Sequence, residues 1–295
     1  MTSPMPVVSA LIVNFNSGSH LAHALRSIAA DLADGDWSAV VVDNASEDGS
    51  ADRIPAEAGE RVTVVRNRRN VGFGAAVNQA ARLTSAPLLW LVNPDCRIVA
   101  GAFDALRRVL IADPRCGLTA PQLLNADGST QESARGEPTA LTGVFGRHGL
   151  LTRVFPAAAA ARHNLRAREI VAAGAETADV DWVMGACMLI RREAFDRVNG
   201  FDERFFLYWE DTDLCRRIRE TGFAIRYVPG ARVEHPGGAS SRTAHWMASR
   251  AFHRSAYLYY AKHTVPSPWH PARPLARLAL TLRGWLRGAQ GPKIL

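Results

Sequence analysis

The chain has 295 residues, 47% hydrophobic and 21% charged, the composition of an ordinary globular protein with room for one large α/β domain and an extension, or for two small domains. Its four cysteines form no C-x-x-C pair, no basic residue precedes the first apolar run, and no apolar stretch approaches the roughly 18–20 residues that span a bilayer. A zinc site, a disulfide framework, a secretory signal and a membrane span are therefore not expected, and a reducing cytosol is.

Residues 7–13 predict a strand ended by Asn14-Phe15-Asn16-Ser17-Gly18, with Ser19 placed to cap a helix carrying Leu21, Leu25 and Ile28. A second strand over 39–42 ends in Asp43-Asn44-Ala45-Ser46, and a third covers 62–65. Asn70-Val71-Gly72-Phe73-Gly74 then leads into a helix of small residues from about 75 to 83. Residues 88–92, all apolar, read as a strand buried on both faces, stopped by Asn93-Pro94-Asp95. A helix near 103–111 follows. Alternating strands and helices predict an α/β fold, a doubly wound, mostly parallel sheet with helices on both faces.

Asn14, Asp43 and Asp95 fall at the carboxyl ends of predicted strands, the edge where open α/β sheets bind ligands. Any one of them is equally a strand terminator; the three together favour a site. Neither G-x-G-x-x-G nor a P-loop is present, so a dinucleotide fold and a P-loop fold are not expected. Asp43 suits the imide N–H of uracil or thymine. Gly72 and Gly74 suit either close backbone approach to a ligand or a tight turn. Asp95 is expected to hold a divalent metal that in turn holds a nucleoside diphosphate.

Further along, 118–124 and 130–133 read as a hairpin around Asp127-Gly128. Residues 135–178 have no clean period. A strand over 180–190 is broken at Gly185-Ala186, where small side chains leave room for a sugar ring. A short helix follows from Arg191 and ends at Gly200. The next helix, from about Asp211, buries Leu214, Ile218 and Cys215 and opens with Glu210, Asp211 and Asp213. One carboxylate is enough to complement a helix dipole, so three point to chemistry. Residues two apart face different ways, which leaves Asp213 structural. A strand over 224–228 turns at Pro229-Gly230 toward His235.

These motifs, Val13-Asn14-Phe15-Asn16, Asp43-Asn44-Ala45-Ser46, Asn70 to Gly74, Asn93-Pro94-Asp95, Gly185-Ala186-Cys187, Gly200-Phe201-Asp202-Glu203, Glu210 to Leu214 and His235, stand in the order of family 2 inverting glycosyltransferases. Over about residues 7–240 the chain resembles their bacterial rhamnosyltransferase branch. The resemblance implies a GT-A catalytic domain over 1–240 and a nucleoside-diphosphate sugar donor held with Mg²⁺ or Mn²⁺. It implies metal contacts at Asp95 and His235, a catalytic base at Asp211 with Glu210 the next candidate, and a nucleotide-sugar site lined by Val13, Asn14, Asn16, Asp43, Asn70, Gly72, Phe73, Asn93, Asp95, Trp182 and Gly185. Asn93 stands where the family's D-x-D motif has its first acid, so the metal has one anionic ligand fewer and relies more on donor phosphates. The donor implied is dTDP-rhamnose and the acceptor a polyprenyl-diphosphate-linked or other glycan, in cell-envelope polysaccharide synthesis.

The remaining 241–295 form a basic helical extension. No Asp or Glu follows Glu234, and nine Lys or Arg residues do; without those nine, 26 basic residues face 28 acidic ones. Residues 244–263 predict an aromatic-rich helix, prolines 266, 268, 271 and 274 break the chain, and a basic amphipathic helix spans 273–288. That helix suits peripheral contact with the anionic inner face of the cell membrane, or else packs on the domain or at a homodimer contact. No nucleic-acid module is present. Rival classes are a sugar-phosphate nucleotidyltransferase and a non-catalytic nucleotide-sugar sensor.

Overall fold

The computed structural model describes residues 7–33, 35–138, 166–236 and 245–289, with side chains in the last segment from 248 to 286. The irregular stretch expected over 135–178 lies largely outside these residues, as does the chain just after Pro236.

The first half is laid down as expected. Strands β1 (Val8–Asn14), β2 (Trp37–Asp43), β3 (Val62–Arg66) and β4 (Leu88–Val92) form a parallel sheet in the order β3-β2-β1-β4. Every residue of β1 and β4 is buried, because helices cover both faces; β3, at the edge, is half-exposed. Side chains alternate along β1. Val8, Ala10 and Ile12 pack with helices α1 (His20–Asp31) and α3 (Ala102–Ala112), and Leu11 and Val13 pack with α2 (Phe73–Arg82). Helix α1 buries Leu21, Ala24, Leu25 and Ile28, one stripe at helical spacing.

Local details depart from expectation. Ser19 is itself helical in φ and ψ and makes no side-chain cap; the Ser17 carbonyl accepts the His20 amide instead. Between β2 and β3 the chain forms only 3-10 turns, over Ser50–Asp52 and Gly59–Arg61. Asp31, at the end of α1, caps a different helix: its carboxylate accepts the Gly101 and Phe103 amides at 2.5 and 2.9 Å.

Beyond α3 the sheet becomes mixed. Two short strands precede and follow that helix's neighbourhood, β5 (Arg97–Ile98) and, later, β8 (Ala178–Asp179); both pair with the final strand β11 (Ala224–Glu234). Strand β6 (Cys116–Leu124) runs parallel to β11, and β10 (Cys187–Arg191) inserts antiparallel between β4 and β6. The expected hairpin after β6 is present as a turn at Asn125-Ala126-Asp127-Gly128, but its return arm pairs through a single bridge, Leu124 with Thr130. The chain then leaves to pair β7 (Ala134–Arg135) with β9 (Trp182–Val183). The break expected at Gly185-Ala186 separates β9 from β10. Pro229 and Gly230 do not turn the chain: they sit in a bulge of β11, where Val228 pairs Pro121 and Arg232 already pairs Gln122.

Between β7 and β9 lies helix α4 (Ala167–Ala172). Helix α5 (Arg192–Arg197) and helix α6 (Glu210–Glu220) follow β10, and α6 buries Leu214, Cys215 and Ile218 as its pattern predicts. The C-terminal helices are α7 (His245–Tyr259), continued by a π-helical turn (Tyr260–Thr264), and α8 (Ala272–Ala289). Pro274 does not break the chain but lies in the first turn of α8, where a missing amide hydrogen costs nothing. Helix α8 packs Ala276 and Leu280 inward and leaves Leu275, Leu278, Leu282, Trp285 and Leu286 exposed.

Candidate active site

At the carboxyl edge of the parallel strands, Asn14 and Asp43 are register partners. Asn14 Nδ2 donates to Asp43 Oδ1 at 2.7 Å and to Ser50 Oγ at 2.8 Å, and its Oδ1 accepts the Ser17 hydroxyl. With both ends of its amide committed, Asn14 braces Asp43. Ser46 Oγ donates to the same Asp43 oxygen at 2.6 Å, while Asp43 Oδ2 takes only the Ser46 amide at 3.3 Å and keeps acceptor capacity for a ligand N–H. Asn16 is exposed, with φ of 49°, and its Oδ1 accepts the Glu47 amide. The Val13 side chain lies in the core beneath.

Asn44 ties this floor to the next loop by donating to the Gly72 carbonyl at 3.2 Å. Asn70 Oδ1 accepts the Gly72 amide, and Gly72 has φ of +93°, backbone that other residues adopt only with strain. A Cβ on Gly72 would meet the Phe206 carbonyl oxygen at 2.7 Å. That close approach lets the Phe73 amide donate to Phe206 O at 3.0 Å, and the Phe73 ring stands edge-on to Phe201.

Past the end of β4, Asp95 Oδ1 lies 3.4 Å from His235 Nε2. Burial works against the Asp95 charge, but the His235 hydrogen bond and charge outweigh it and hold the carboxyl below its ordinary range. His235 Nδ1 is 3.0 Å from Gln131 Oε1, and Gln131 Nε2 donates back to the His235 carbonyl at 2.5 Å. With Nδ1 committed to Gln131, Nε2 is the ring nitrogen that points at Asp95, and the one a cation between them would take in place of that hydrogen bond. Cys96 completes the cluster in space, but it donates its thiol to the Ala186 carbonyl and burial pushes its pKa well up, so it stays a thiol. Asn93 Oδ1 is buried without a partner. A carboxylate, an imidazole nitrogen and an orphaned amide oxygen fit a hard divalent cation.

Across the cleft, α6 begins with Trp209 and Tyr208 before it, both at φ near +70°. Asp211 Oδ2 accepts the Gly185 amide at 3.0 Å, and Oδ1 accepts the Thr212 amide at 2.7 Å. Burial pushes the Asp211 carboxyl up, and these bonds offset it only partly. Glu210, 6% exposed, is pushed much further by burial and by the Asp211 charge, and its Oε2 has no partner. Two carboxyls thus stand side by side, both shifted upward, with Glu210 the more disposed to keep its proton.

Gly185 and Ala186 join the two sides. The Gly185 amide faces Asp211, while the Ala186 carbonyl accepts the Asn93 amide at 2.8 Å. A Cβ on Gly185 would make ordinary contacts with Asp211 and Phe73, so this glycine lies between α6 and the start of α2. Trp182 is tied to the base of the neighbouring loop, donating to the Gly136 carbonyl at 2.9 Å under the Arg135 guanidinium. Gln131, Ser17 and Ser50 were not singled out by the sequence: a lone Gln in a return arm and a Ser in a polar loop carry no pattern. Ser46 falls within Asp43-Asn44-Ala45-Ser46, and that is its only signal in the sequence.

The model of the family described as glycosyltransferase like family 2 matches residues 4–257. An N-acetylglucosaminyl-diphospho-decaprenol L-rhamnosyltransferase of Mycobacterium tuberculosis is 33% identical, across 100% of this chain and 98% of its own. The rhamnosyltransferase WbbL of Escherichia coli is 39% identical over a shorter stretch, 30% of this chain and 33% of its own. Among solved structures, the mannosyltransferase PcManGT from Pyrobaculum calidifontis, in complex with GDP-Man and Mn²⁺, aligns with a TM-score of 0.57 at 16% identity, over 99% of this chain and 77% of its own. Staphylococcus aureus TarS, in complex with UDP-GlcNAc, gives 0.56 at 14% identity over 95% and 72%. The likeness in fold is that of GT-A enzymes.

Proposed function

The chain belongs to glycosyltransferase family 2, and from that membership we propose that it moves an L-rhamnosyl group from dTDP-rhamnose to a hydroxyl of a polyprenyl-diphosphate-linked glycan, with inversion at the anomeric carbon. The observation that carries the reading is the bridge of Gly185 and Ala186, which sets Asp211 on one side and Asn93, Asp95 and His235 on the other. Full-length identity to a decaprenol-linked rhamnosyltransferase supports the sugar and the acceptor class.

Asp43 receives the base N–H, with Asn14 and Ser46 holding its carboxylate in place. Gly72, packed against Phe206, fixes the loop of Asn70 to Phe73 beside Asp43 through the bond from Asn44. Asp95, His235 and Asn93 would hold Mg²⁺ or Mn²⁺, which supplies positive charge to the leaving diphosphate. Asp211 accepts the proton of the acceptor hydroxyl as its oxygen attacks, its raised pKa bringing it nearer the working pH. Glu210, shifted further upward, is the carboxyl of the pair more disposed to keep its proton, which limits negative charge beside the base.

Among the described residues no helix is long and apolar enough to cross a membrane. Peripheral contact fits a lipid-linked acceptor: the exposed leucines and Trp285 of α8 form one stripe, Trp269 nearby is 91% exposed, and the surrounding segment carries only basic charge.

The test is a thermal-shift series of nucleotide sugars with Mg²⁺ or Mn²⁺, followed by transfer to a short-chain GlcNAc-diphospho-prenyl acceptor. A donor at 100 times its Kd should stabilise by about 2.7 kcal/mol. Release of dTDP with a rhamnosylated lipid is the expected result. Stabilisation by a different nucleotide sugar alone would overturn the choice of donor, and release of pyrophosphate would mark a nucleotidyltransferase.

A further inference from the structure

We infer that His263 and Lys262, in the π-helical turn that ends α7, are positioning residues for the catalytic helix and act through Asp213. The inference rests on Asp211 as the base, and it gives the C-terminal extension a part in turnover besides any contact with lipid.

Asp213 lies two residues past Asp211 on α6 and faces away from the cleft, fully buried. Its Oδ1 receives Lys262 Nζ at 2.6 Å and His263 Nε2 at 2.7 Å; its Oδ2 receives Arg217 Nε at 2.7 Å. Burial opposes the Asp213 charge, and the bonds from His263, Arg217 and Lys262 outweigh it. Arg217 carries the tie onward to the carbonyls of Val198 and Gly200, and Lys262 also binds Asp202 at 2.7 Å. A helix cap or a dipole partner needs none of these long-range contacts; a buried carboxylate with three side-chain donors, two of them from the C-terminal turn, is a fastening point.

The same C-terminal element holds the elbow that aims α6. Tyr208 and Trp209 are consecutive non-glycine residues in the left-handed region, a conformation that persists only where surroundings impose it. Those surroundings belong to α7 and its extension. Trp209 packs on Phe252 and Tyr259 with centroids 5.8 and 5.2 Å apart, Tyr208 packs on Phe252, and Ser255 Oγ donates to the Leu207 carbonyl at 2.9 Å. Tyr259 also donates to Glu137, which takes Arg216 and Arg219 from the outer face of α6. The extension thus grips α6 before its first turn, behind it and along its side, leaving Asp211 to the Gly185 amide.

The experiment uses the full chain and the double variant His263→Ala with Lys262→Ala, beside Lys262→Arg, which keeps a cation for Asp213. Amide hydrogen exchange of 207–213, donor affinity by titration with dTDP-rhamnose and Mn²⁺, and single-turnover rate are measured. The double variant should exchange faster at 207–213, keep its donor affinity and lose on the order of 100-fold in rate, the scale of a misplaced catalytic group; Lys262→Arg should retain near-wild-type exchange and most of the rate. Unchanged exchange overturns the inference, and so does faster exchange at an unchanged rate. Should the double variant fail to fold, the single variant His263→Gln is held to the same outcomes. If the wild-type chain turns over no rhamnosyl donor, the choice of substrate falls, while the exchange measurement still decides whether the turn holds the elbow.

Discussion

The backbone amide of Gly185 donates to Asp211 Oδ2 at 3.0 Å, so main chain from a separate element aims one oxygen of the proposed base, while Thr212 holds the other through its amide and, at 3.3 Å, its hydroxyl. Asp211→Asn keeps an oxygen for that amide and the shape of the group, but cannot take a proton. Turnover should fall by about 10²–10⁴-fold while donor affinity stays unchanged, measured by single-turnover kinetics and titration calorimetry. Full activity would transfer the role to Glu210.

Gln131 sets which nitrogen of His235 faces Asp95. Gln131→Leu removes the acceptor for Nδ1–H, and affinity for Mn²⁺ in the presence of a nucleoside diphosphate should drop about 10–100-fold, read by calorimetry. An unchanged affinity would mean that His235 is oriented by something else.

Glu210 makes stability depend on pH in a stated direction. Its folded pKa lies well above the ordinary 4.5, so above that pH the folded chain holds a proton that the unfolded chain releases. The contribution is therefore complete below pH 4.5 and is lost as pH rises through the folded value, at up to about 1.4 kcal/mol per pH unit. Glu210→Gln should flatten the fall in unfolding temperature over that range. Asp211 shifts the same way, so the slope shrinks rather than vanishes. A variant whose profile tracks the wild type would rule out a buried neutral Glu210.

Gly72→Ala forces both a left-handed backbone and a Cβ at 2.7 Å from Phe206 O. A loss of about 1–3 kcal/mol is expected in denaturant unfolding, with weaker donor binding because the Phe73 amide is pushed off its partner. Retention of both would show that the loop relaxes freely.

Leu278 and Leu282 are 58% and 54% exposed, so changing them should not touch the core. Leu278→Glu with Leu282→Glu should abolish cosedimentation with anionic vesicles at an unaltered unfolding temperature. If vesicle binding persists and sedimentation velocity instead reports a dimer lost in the variant, the stripe is a contact between two copies.

Much of this was legible from local pattern. Strand ends at Asn14, Asp43 and Asp95 could be read because an apolar run that stops at a polar residue needs no tertiary knowledge. The inward face of α6 and the structural fate of Asp213 followed from helical periodicity. What could not be read depends on distant partners. Pro229 and Gly230 look like a turn, and only the parallel pairing of β11 with β6 absorbs them as a bulge. Gln131 gains its meaning from His235, and Asp31 caps a helix that starts at Ala102. Small side chains at Gly185-Ala186 are legible as space, but the bond from the Gly185 amide to Asp211 appears only once the fold brings α6 beside it.

The antiparallel insertion of β10 has a consequence for biosynthesis. Strand β4 emerges from the ribosome long before Cys187–Arg191, the segment that seals its second edge. Until then the nascent parallel sheet presents an apolar, unpaired ribbon to the cytosol, a template for association with other chains. Chaperone demand during synthesis should therefore peak before β10 appears, and truncations ending short of residue 187 should aggregate where the full chain does not.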